Sequence, residues 1–402
     1  MITNKIRLSK LCKIITKGTT PTSIGFTFSD QGIRFLRVQN VSNGKVNYEQ
    51  QTLFIDEVTN KALARSQILG GDVLISIAGT IGRAGIVPDN APPLNCNQAL
   101  AIVRTNGDIY RPYLRNWLES NDAQSQMIGA TVTGTISNLS LTQIGNLQIP
   151  LPPLEEQKRI AEILDRASSL ISKRKDAIAK LDTLTQSIFL EMFGDPIANL
   201  KGWKRLLFSE LLDNIDSGWS PVCSDHPVSN GEWGVLKLGA VTWCEYNPNE
   251  NKALLPNVKP NLALEVKVGD LLFTRKNTYE LVAACVLVRE TPPHLMMPDL
   301  IFRFRLCSDA PIDSCFLHQL LIYPTKRSNI QKLAGGSSGS MPNISKAKLQ
   351  TISIEIPPLP LQKEFAQRVE AVEKLKATHR ASLTELQSLF ASLQHRAFRG
   401  EL

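Results

Sequence analysis

The chain has 402 residues, which is enough for two domains of ordinary size, and 43% of them are hydrophobic, which is enough to build their cores. The net charge of +8 favours a polyanionic partner, because lysine and arginine neutralise phosphates, although an ordinary basic protein fits this value equally well. The seven cysteines form no C-x-x-C pair, which argues against a zinc ribbon or a disulfide scaffold and predicts free thiols in a reducing compartment.

The first residues contain polar and basic side chains and lack the apolar run of a secretory signal. The longest apolar run, residues 281–288, is too short to cross a bilayer. We therefore expect a cytoplasmic protein without a membrane partner.

In chain order, each half of the sequence begins with a region that is predicted to be rich in strands. Apolar runs bounded by glycine, asparagine, aspartate and proline predict strands at residues 33–38, 73–77, 84–87 and 99–103, and again at 234–238, 271–274, 281–288 and 300–306. Short helices are expected near residues 111–127 and 312–333, followed by glycine- and serine-rich loops at 129–137 and 335–340.

Each half then ends in a long helical pattern. Double prolines that begin at Pro152 and Pro357 suit the entrance of a helix and not its interior. Apolar residues then recur every three or four positions, with no glycine before Gly194 and Gly400. A helix of about 39 residues spans roughly 58 Å at 1.5 Å per residue. We expect the two helices to pack on each other as an antiparallel coiled coil.

The chain also carries the same motifs twice. The matched pairs that are 205 positions apart are Asn138 with Asn343, Ser140 with Ser345, Pro153 with Pro358 and Gln157 with Gln362. Weaker matches lie upstream, where Gly18 corresponds to Gly218 and the pair Gly71-Asp72 to Gly269-Asp270. A repeat of this length indicates a duplicated domain.

These elements predict an α+β protein, in which two α/β domains are joined by two long antiparallel helices that form a coiled coil, with a pseudo-two-fold axis. The predicted boundaries are a first domain over residues 1–151, a first helix over 152–194, a second domain over 195–356 and a second helix over 357–402.

At these residues the chain resembles the specificity subunits of type I restriction-modification systems. The likeness rests on the P-P-L-x-x-Q-K motif at Pro152 and Pro357, on the N-[LI]-S elements at Asn138 and Asn343, and on the two G-D pairs with the loops that follow them. It covers essentially the whole chain. The resemblance implies that each domain is a target recognition domain that reads one half of a bipartite, asymmetric DNA sequence.

The resemblance also implies a set of partners. These are double-stranded DNA, two DNA methyltransferase (M) subunits, and restriction and motor (R) subunits. The two long helices would dock the methyltransferase subunits and would also set the gap between the half-sites. S-adenosylmethionine, ATP and magnesium are expected on the partner subunits and not on this chain, which is expected to be non-catalytic.

The sequence contains no recognisable catalytic or metal-binding motif. The sequence has no N-P-P-Y-like methyltransferase segment, and residues 335–340 lack the lysine of a phosphate-binding P-loop. The five histidines are not at metal-ligand spacing. We expect neither catalytic nor metal-binding residues, and two alternatives stay open: a self-contained DNA-modifying enzyme and a protein-binding scaffold.

Candidate DNA contacts are basic or polar residues at predicted loop and strand tips. Arginine suits a bidentate contact to guanine, asparagine one to adenine, and lysine the phosphates. The candidates are Lys17, Arg34, Arg37, Thr80 and Arg83 in the first domain, and Lys237, Arg275, Lys276, Asn277, Lys326 and Arg327 in the second. For each of them the alternative is a solvated surface charge. Residues 275–277 stand out because they combine base-reading and phosphate-binding types.

Two features of the helices leave alternatives open. Residues 173–175 are basic and either approach the DNA between the half-sites, form a solvated face or contact a partner. Phe189 and Phe193 either contact the methyltransferase or pack on the neighbouring domain, and we favour packing.

Overall fold

The computed structural model describes residues 5–130, 138–229, 231–335 and 341–402. It divides into two compact units: unit 1 comprises Met1–Lys175 and Ala381–Leu402, and unit 2 comprises Asp176–Arg380. Each unit contains part of both long helices together with its strands, so the domain boundaries drawn from the sequence stay a prediction.

The first half of the chain forms the strands β1 (Lys5–Arg7), β2 (Cys12–Lys17), β3 (Ile33–Leu36), β4 (Val41–Ser42), β5 (Gly44–Val46), β6 (Leu53–Ile55), β7 (Gln67–Ile68), β8 (Val73–Ser76), β9 (Ala84–Ile86), β10 (Leu94–Cys96), β11 (Leu100–Thr105) and β12 (Gln148–Pro150). Its helices are α1 (Glu57–Ala62), α2 (Arg111–Leu118), α3 (Asn121–Ala130), α4 (Leu141–Asn146) and α5 (Leu154–Phe193).

The second half forms the strands β13 (Lys204–Leu207), β14 (Leu212–Ser217), β15 (Gly234–Leu236), β16 (Asn251–Ala253), β17 (Leu271–Thr274), β18 (Cys285–Leu287), β19 (Leu295–Met296), β20 (Ile301–Leu306) and β21 (Ser353–Ile356). Its helices are α6 (Phe208–Leu211), α7 (Gly239–Thr242), α8 (Ser314–Ile322), α9 (Pro324–Gln331), α10 (Lys346–Gln350) and α11 (Leu359–Ala397). Most of the loops predicted at 129–137 and 335–340 lies outside the described residues.

The central strands of the main sheet of unit 1 are buried on both faces. This sheet has the strand order β2-β11-β8-β9-β5-β4, beside a second sheet with the order β6-β3-β10-β7 and an antiparallel pair of β1 with β12. Val73 and Ile75 of β8 belong to one core cluster, and Leu74 belongs to another. Since successive side chains of a strand point to opposite faces, a strand between two cores has the continuous apolar sequence that predicted β8.

Unit 2 repeats this fold. Its main sheet has the order β14-β20-β17-β18, its second sheet the order β16-β15-β19, and β13 pairs with β21. Leu271 and Phe273 of β17 face one core cluster, and Leu272 faces another, as in β8. The strand order matches that of unit 1, except that β4, β5 and β7 have no counterpart among the described strands of unit 2.

One predicted strand is shorter than expected. Residues 281–288 form a strand only at Cys285–Leu287, and residues 281–284 belong to the loop after β17. Ala283 has a φ of 61°, which interrupts an extended strand, and its N–H bonds to the Thr274 carbonyl at 3.1 Å. The apolar pattern arises because Val282, Ala283 and Ala284 are buried by packing rather than by strand pairing.

The two long helices pack together, with 40 residues in α5 and 39 in α11. In unit 1, Leu164 of α5 shares a core cluster with Leu393 of α11. In unit 2, the rings of Phe189 on α5 and Phe365 on α11 lie 5.6 Å apart. The start of α5 therefore packs near the end of α11, and the end of α5 near the start of α11, as in an antiparallel pair. The predicted α+β class with two packed long helices is confirmed.

Phe189 and Phe193 are 1% and 3% exposed and belong to the core of unit 2. Intramolecular packing, the favoured alternative for these residues, is confirmed, and their rings are not available to a partner.

An ion pair links the helices inside unit 2. The Lys376 ammonium of α11 contacts Asp182 of α5 at 2.7 Å and Glu373 at 2.9 Å. Burial by itself would lower the pKa of Lys376, but the hydrogen bonds to Asp182 and Glu373 raise it above its ordinary value. The position that matches Lys376 in α5 is the apolar Ile171. The two halves of the helix pair therefore differ chemically, with a lysine in unit 2 where unit 1 has an isoleucine. A polar group between two packed helices favours one register of the pair.

A buried glutamine ties the start of α5 to unit 1. Gln157 is 1% exposed, its Oε1 accepts a hydrogen bond from the Tyr110 N–H at 2.8 Å, and its Nε2 donates to the Pro152 carbonyl at 2.9 Å. Tyr110 immediately precedes α2, so one side chain joins the entrance of α5 to the entrance of α2.

Gln362 makes the same connection in unit 2. It is 0% exposed, its Oε1 accepts from the Asp313 N–H at 2.8 Å, and its Nε2 donates to the carbonyls of Pro357 at 2.7 Å and Pro311 at 3.1 Å. Asp313 immediately precedes α8. The repeated P-P-L-x-x-Q motif is thus a repeated hydrogen-bonded junction.

We expect Gln362→Ala to lower the free energy of unfolding by about 1–3 kcal/mol, because it leaves the Asp313 N–H without its side-chain acceptor at a buried position. Urea denaturation of the full chain measures the change. Gln367→Ala, at an exposed position of the same helix, is the matched control and should change stability by less than about 0.5 kcal/mol. Equal losses in the two variants would contradict the role of the junction.

Candidate nucleic-acid interface

In each unit, three loops meet at one end of the main sheet. In unit 1 the Thr19 N–H bonds to the Cys96 carbonyl at 3.1 Å, and the Ile77 N–H bonds to the Ala99 carbonyl at 2.8 Å. These bonds join residues 18–21, 77–83 and 97–99, which we call the loop cluster of unit 1.

The same bonds recur in unit 2. The Trp219 N–H bonds to the Met297 carbonyl at 3.1 Å, and the Arg275 N–H bonds to the Leu300 carbonyl at 3.0 Å. Residues 218–221, 275–284 and 298–300 form the loop cluster of unit 2.

A glycine permits the close approach of two loops in each cluster. A Cβ atom on Gly18 would lie 2.1 Å from the Asn97 carbonyl oxygen, and one on Gly218 would lie 2.1 Å from that of Pro298. No side chain fits at these distances, which explains why glycine stands at both matched positions.

The N-[LI]-S elements hold the loops that follow β8 and β17. The Leu139 N–H bonds to the Ile77 carbonyl at 3.0 Å, and the Ile344 N–H bonds to the Arg275 carbonyl at 2.8 Å. Leu139 and Ile344 are 2% and 0% exposed. The element therefore extends the loop cluster with a short backbone pairing and anchors it through a buried side chain.

The serine that ends each N-[LI]-S element caps the next helix. Ser140 Oγ accepts a hydrogen bond from the Gln143 N–H at 3.2 Å at the start of α4, and Ser345 Oγ accepts from the Lys348 N–H at 3.3 Å at the start of α10. The cap satisfies an N–H that has no partner within the helix.

The aspartates of the G-D pairs, Asp72 and Asp270, hold the turns before β8 and β17. Asp72 accepts two hydrogen bonds from Arg104 at 2.8 Å each and one from the Leu69 N–H at 2.8 Å. Asp270 accepts from the Lys267 N–H at 2.9 Å and pairs with Arg303 at 3.1 Å. Each carboxylate closes the turn before a central strand of its unit.

The loops that follow these strands share an anchor but differ in length. Ser76 Oγ accepts from the Arg83 N–H at 2.9 Å, and Thr274 Oγ1 accepts from the Ala284 N–H at 2.9 Å. The hydroxyl closes residues 77–83 in unit 1 and residues 275–284 in unit 2. The same frame therefore carries a longer loop in unit 2.

Most of the predicted DNA contacts of the first domain lie at its loop cluster. Lys17, Thr80 and Arg83 are exposed there. Arg37 directly follows β3, and its N–H donates a hydrogen bond to Asn40 Oδ1 at 2.9 Å. The residue before it, Leu36, accepts a hydrogen bond from the Asn97 N–H at 3.0 Å, which places Arg37 beside the loop cluster. These four residues lie at or beside the loop cluster of unit 1, and their contact with DNA stays a prediction.

Arg34 lies elsewhere. It is on β3 in the second sheet, and its guanidinium lies 6.0 Å from the centre of the Tyr48 ring, a cation–π distance. The structure places it on a strand rather than at a loop tip.

Several candidates of the second domain support the loop instead of projecting from it. Arg275 Nε donates to Asn343 Oδ1 at 3.0 Å. Asn277 is 7% exposed and donates to Thr242 Oγ1 at 3.2 Å. Arg327 is half-buried and donates to the backbone carbonyls of residues 280–282 at 3.2–3.4 Å. Of residues 275–277, only Lys276 has a partly exposed side chain without a side-chain partner among the described residues.

Lys237 is exposed and lies 4.0 Å from Glu250. It follows β15 at the position that matches Arg37, so both units carry a basic side chain beside the loop cluster.

Lys326 does not occupy the exposed position that a DNA contact needs. It is 4% exposed, and its ammonium lies 2.6 Å from Glu355 and is hydrogen-bonded to the Ser353 carbonyl. Burial lowers the pKa of Lys326, and Glu355 partly offsets this. The sequence suggested a basic residue at a loop or strand tip, but Lys326 lies on α9 with its side chain buried.

Among the described residues, no three histidine, cysteine, aspartate or glutamate side chains come close enough to hold a metal ion. In the described part of the chain, no helix is long and apolar enough to cross a membrane.

Comparison with known proteins identifies the family. The model of the type I restriction modification DNA specificity domain matches residues 3–181 and 301–388, more than half of the chain. The EcoKI specificity subunit of Escherichia coli K12 is 23% identical over 93% of this chain and 83% of that protein. The Escherichia coli EcoEI specificity subunit is 37% identical, over 42% of this chain and 28% of that protein.

Solved structures share the fold. The crystal structure of a type I restriction-modification S subunit from M. genitalium has a TM-score of 0.57 at 14% identity, over 98% of this chain and 96% of that one. A chain from a structure of the assembly and conformational transition of the type I R-M system also has a TM-score of 0.57, at 19% identity, over 99% and 98% of the two chains.

Fold and sequence together define a two-unit protein of the DNA-specificity class. This chain belongs to the type I restriction-modification DNA specificity family, as the repeated motifs predicted.

We expect Lys326→Met to lower the free energy of unfolding by about 1–3 kcal/mol, because the buried Glu355 carboxylate loses its ammonium partner and keeps only Arg205, at 3.1 Å, as a cationic partner. Urea denaturation measures the loss, and Lys259→Met, at an exposed lysine of the same unit, is the control. If Lys326→Met kept its stability and only weakened DNA binding, Lys326 would be a DNA contact as the sequence suggested.

Proposed function

We propose that this chain is the DNA-reading specificity subunit of a type I restriction-modification complex, in which each loop cluster reads one half of a bipartite, asymmetric target. The observation that carries the proposal is a repeated frame with divergent loops. Gly18 and Gly218, Ser76 and Thr274, and the N-[LI]-S elements hold both clusters in the same way. The loops that they hold differ in length and in chemistry, as two unlike half-sites require.

Charge at the clusters supports DNA as the ligand. Lys17 and Arg83 are exposed in unit 1, Lys237 is exposed in unit 2, and the whole chain carries a net charge of +8. Such side chains neutralise phosphates and release counterions, which provides affinity for any DNA sequence. Sequence is read by the neighbouring groups that reach base edges.

The long helices are proposed to set the gap between the half-sites. Both α5 and α11 continue from one unit into the other. A helix of 39 residues spans about 58 Å, which corresponds to at most roughly 17 base pairs of DNA.

The helices are also proposed to dock two methyltransferase subunits. Large exposed leucines recur at matched positions: Leu170 on α5 is 51% exposed and Leu375 on α11 is 53%, while Leu184 and Leu389 are 44% and 51% exposed. The two leucines of each helix are fourteen residues apart and lie on one helical face. A surface that occurs twice suits two copies of one partner.

Catalysis is proposed to reside in the partners. S-adenosylmethionine would bind to the methyltransferase subunits, and ATP and magnesium to the restriction and motor subunits, in the cytoplasm. This chain would contribute sequence recognition and assembly.

Exchange of residues 1–151 for the corresponding domain of another family member should change only one half of the recognised sequence, because the other loop cluster is intact. Mapping methylated bases in the genome of cells that express the hybrid with its methyltransferase measures this.

Insertion of one helical turn at matched positions of α5 and α11 should change the gap between the half-sites and preserve both half-sites, because the loop clusters are unaltered. The same mapping of methylated bases measures this.

If the domain exchange or the helix insertion changed both halves of the recognised sequence, modular reading would be contradicted. Transfer of a labelled methyl group by the purified chain alone would favour a self-contained enzyme. Absence of sequence-dependent DNA retention by the complex would favour a scaffold.

Leu170→Glu and Leu375→Glu should each reduce the number of bound methyltransferase copies from two to one, and the double variant should bind none, because a charge is buried at each interface. Native mass spectrometry of the copurified complex counts the copies. Ser172→Glu, exposed two residues from Leu170 and on another side of α5, is the control and should keep both copies. Two copies on all variants would contradict this docking surface.

A further inference from the structure

Each loop cluster carries one exposed polar side chain that is oriented by a hydroxyl of the neighbouring loop. In unit 1, Thr20 Oγ1 donates a hydrogen bond to Gln98 Oε1. In unit 2, Ser220 Oγ donates to Asp299 Oδ1 at 2.5 Å, and the Asp299 N–H donates back to Ser220 Oγ at 3.1 Å. Thr20 matches Ser220, and Gln98 matches Asp299, in the repeat.

The loops that carry these side chains are held in place on several sides. Gly18 and Gly218 pack against the carbonyl groups of Asn97 and Pro298, which immediately precede Gln98 and Asp299. The loop backbone is further bonded to strand β3 through the Asn97 N–H in unit 1. A polar group on a fixed loop, with its rotamer set by a second loop, is preorganised to discriminate between ligands.

The free atoms of the two side chains differ between the units. Within the described parts of the chain, neither Gln98 Nε2 nor Asp299 Oδ2 has a protein hydrogen-bond partner, and both residues are exposed. Gln98 therefore presents a donor together with an acceptor, whereas the Asp299 carboxylate presents acceptors alone.

The surroundings of Asp299 restrict what its carboxylate can contact on DNA. Ser220 and Pro298 line a cleft of about 220 Å³ together with Lys237 and Lys252. The two ammonium groups lie 4.0 Å from Glu250 and 3.4 Å from Asp225, and such exposed pairs are weak enough for a phosphate to compete with them. A carboxylate is repelled by phosphates, so a favourable contact between Asp299 and DNA would be a hydrogen bond that the carboxylate accepts from a base. In the major groove, cytosine N4 is the donor that suits a carboxylate, and adenine N6 with N7 suits a glutamine amide.

We propose that Gln98 and Asp299 are matched specificity-determining residues, Gln98 reading an adenine in one half-site and Asp299 a cytosine in the other. Thr20 and Ser220 are their positioning residues. The proposal rests on the proposed function and deepens it, because it names one matched pair of side chains that contributes to the difference between the two half-sites.

The test uses the complex of the full chain with its methyltransferase subunits and a library of random double-stranded DNA, sequenced after selection for binding. For Asp299→Asn we expect a loss of about tenfold or more in the preference for cytosine at one position of one half-site, with the other half-site unchanged. For Gln98→Glu we expect the loss of an adenine preference at one position of the opposite half-site. Asp309→Asn, an exposed aspartate beyond the other end of β20, is the matched control and should leave the motif unchanged.

Variants of the positioning residue separate orientation from folding. Ser220→Ala should weaken discrimination at the same position as Asp299→Asn, and Ser220→Thr should retain it, while thermal unfolding stays that of the unaltered chain. An unchanged motif in Asp299→Asn and Gln98→Glu would overturn the inference, and so would a uniform loss of affinity without a change in base preference. If the unaltered complex selected no motif, the proposed function would fail first, and this inference with it.

Discussion

A buried glutamine at the start of each long helix is the interaction on which the rest of the structure depends. Gln157 and Gln362 satisfy the backbone N–H groups of Tyr110 and Asp313 and donate to the proline carbonyls before their own helices. Both side chains are at most 1% exposed, so their hydrogen bonds are not exchanged with water and a wrong geometry would leave polar groups unsatisfied. The direction of each helix is thereby coupled to the strands and loops of its unit.

The loop clusters are also held by a few contacts that occur in both units. Glycines at matched positions allow close backbone contact, a hydroxyl closes the loop after the central strand, and a serine caps the helix that follows. Each of these contacts joins a backbone atom to a glycine or to a small hydroxyl side chain at a matched position, so the frame tolerates different side chains at the loop tips. Gln98 in one unit and Asp299 in the other illustrate how one frame presents two different hydrogen-bonding patterns.

The sequence predicted elements whose patterns are long or repeated. The two helices were predicted within a few residues, because an apolar stripe over about 39 residues has few alternatives to a packed helix. The central strands β8 and β17 were predicted because burial on both faces leaves a continuous apolar run. The run at 281–288 was misread as one strand, because Ala283 adopts a left-handed conformation that composition does not reveal.

By itself the sequence determined the duplication, the long helices and the family, since each of these depends on residue identities at fixed spacings. The tertiary structure decided which polar side chains serve the frame and which remain free. Lys326 and Asn277 look like surface residues in the sequence, yet Lys326 pairs with Glu355 in the interior and Asn277 bonds to Thr242. Their partners are 29 and 35 residues away, and the burial of a polar group depends on such distant contacts, which no local pattern encodes.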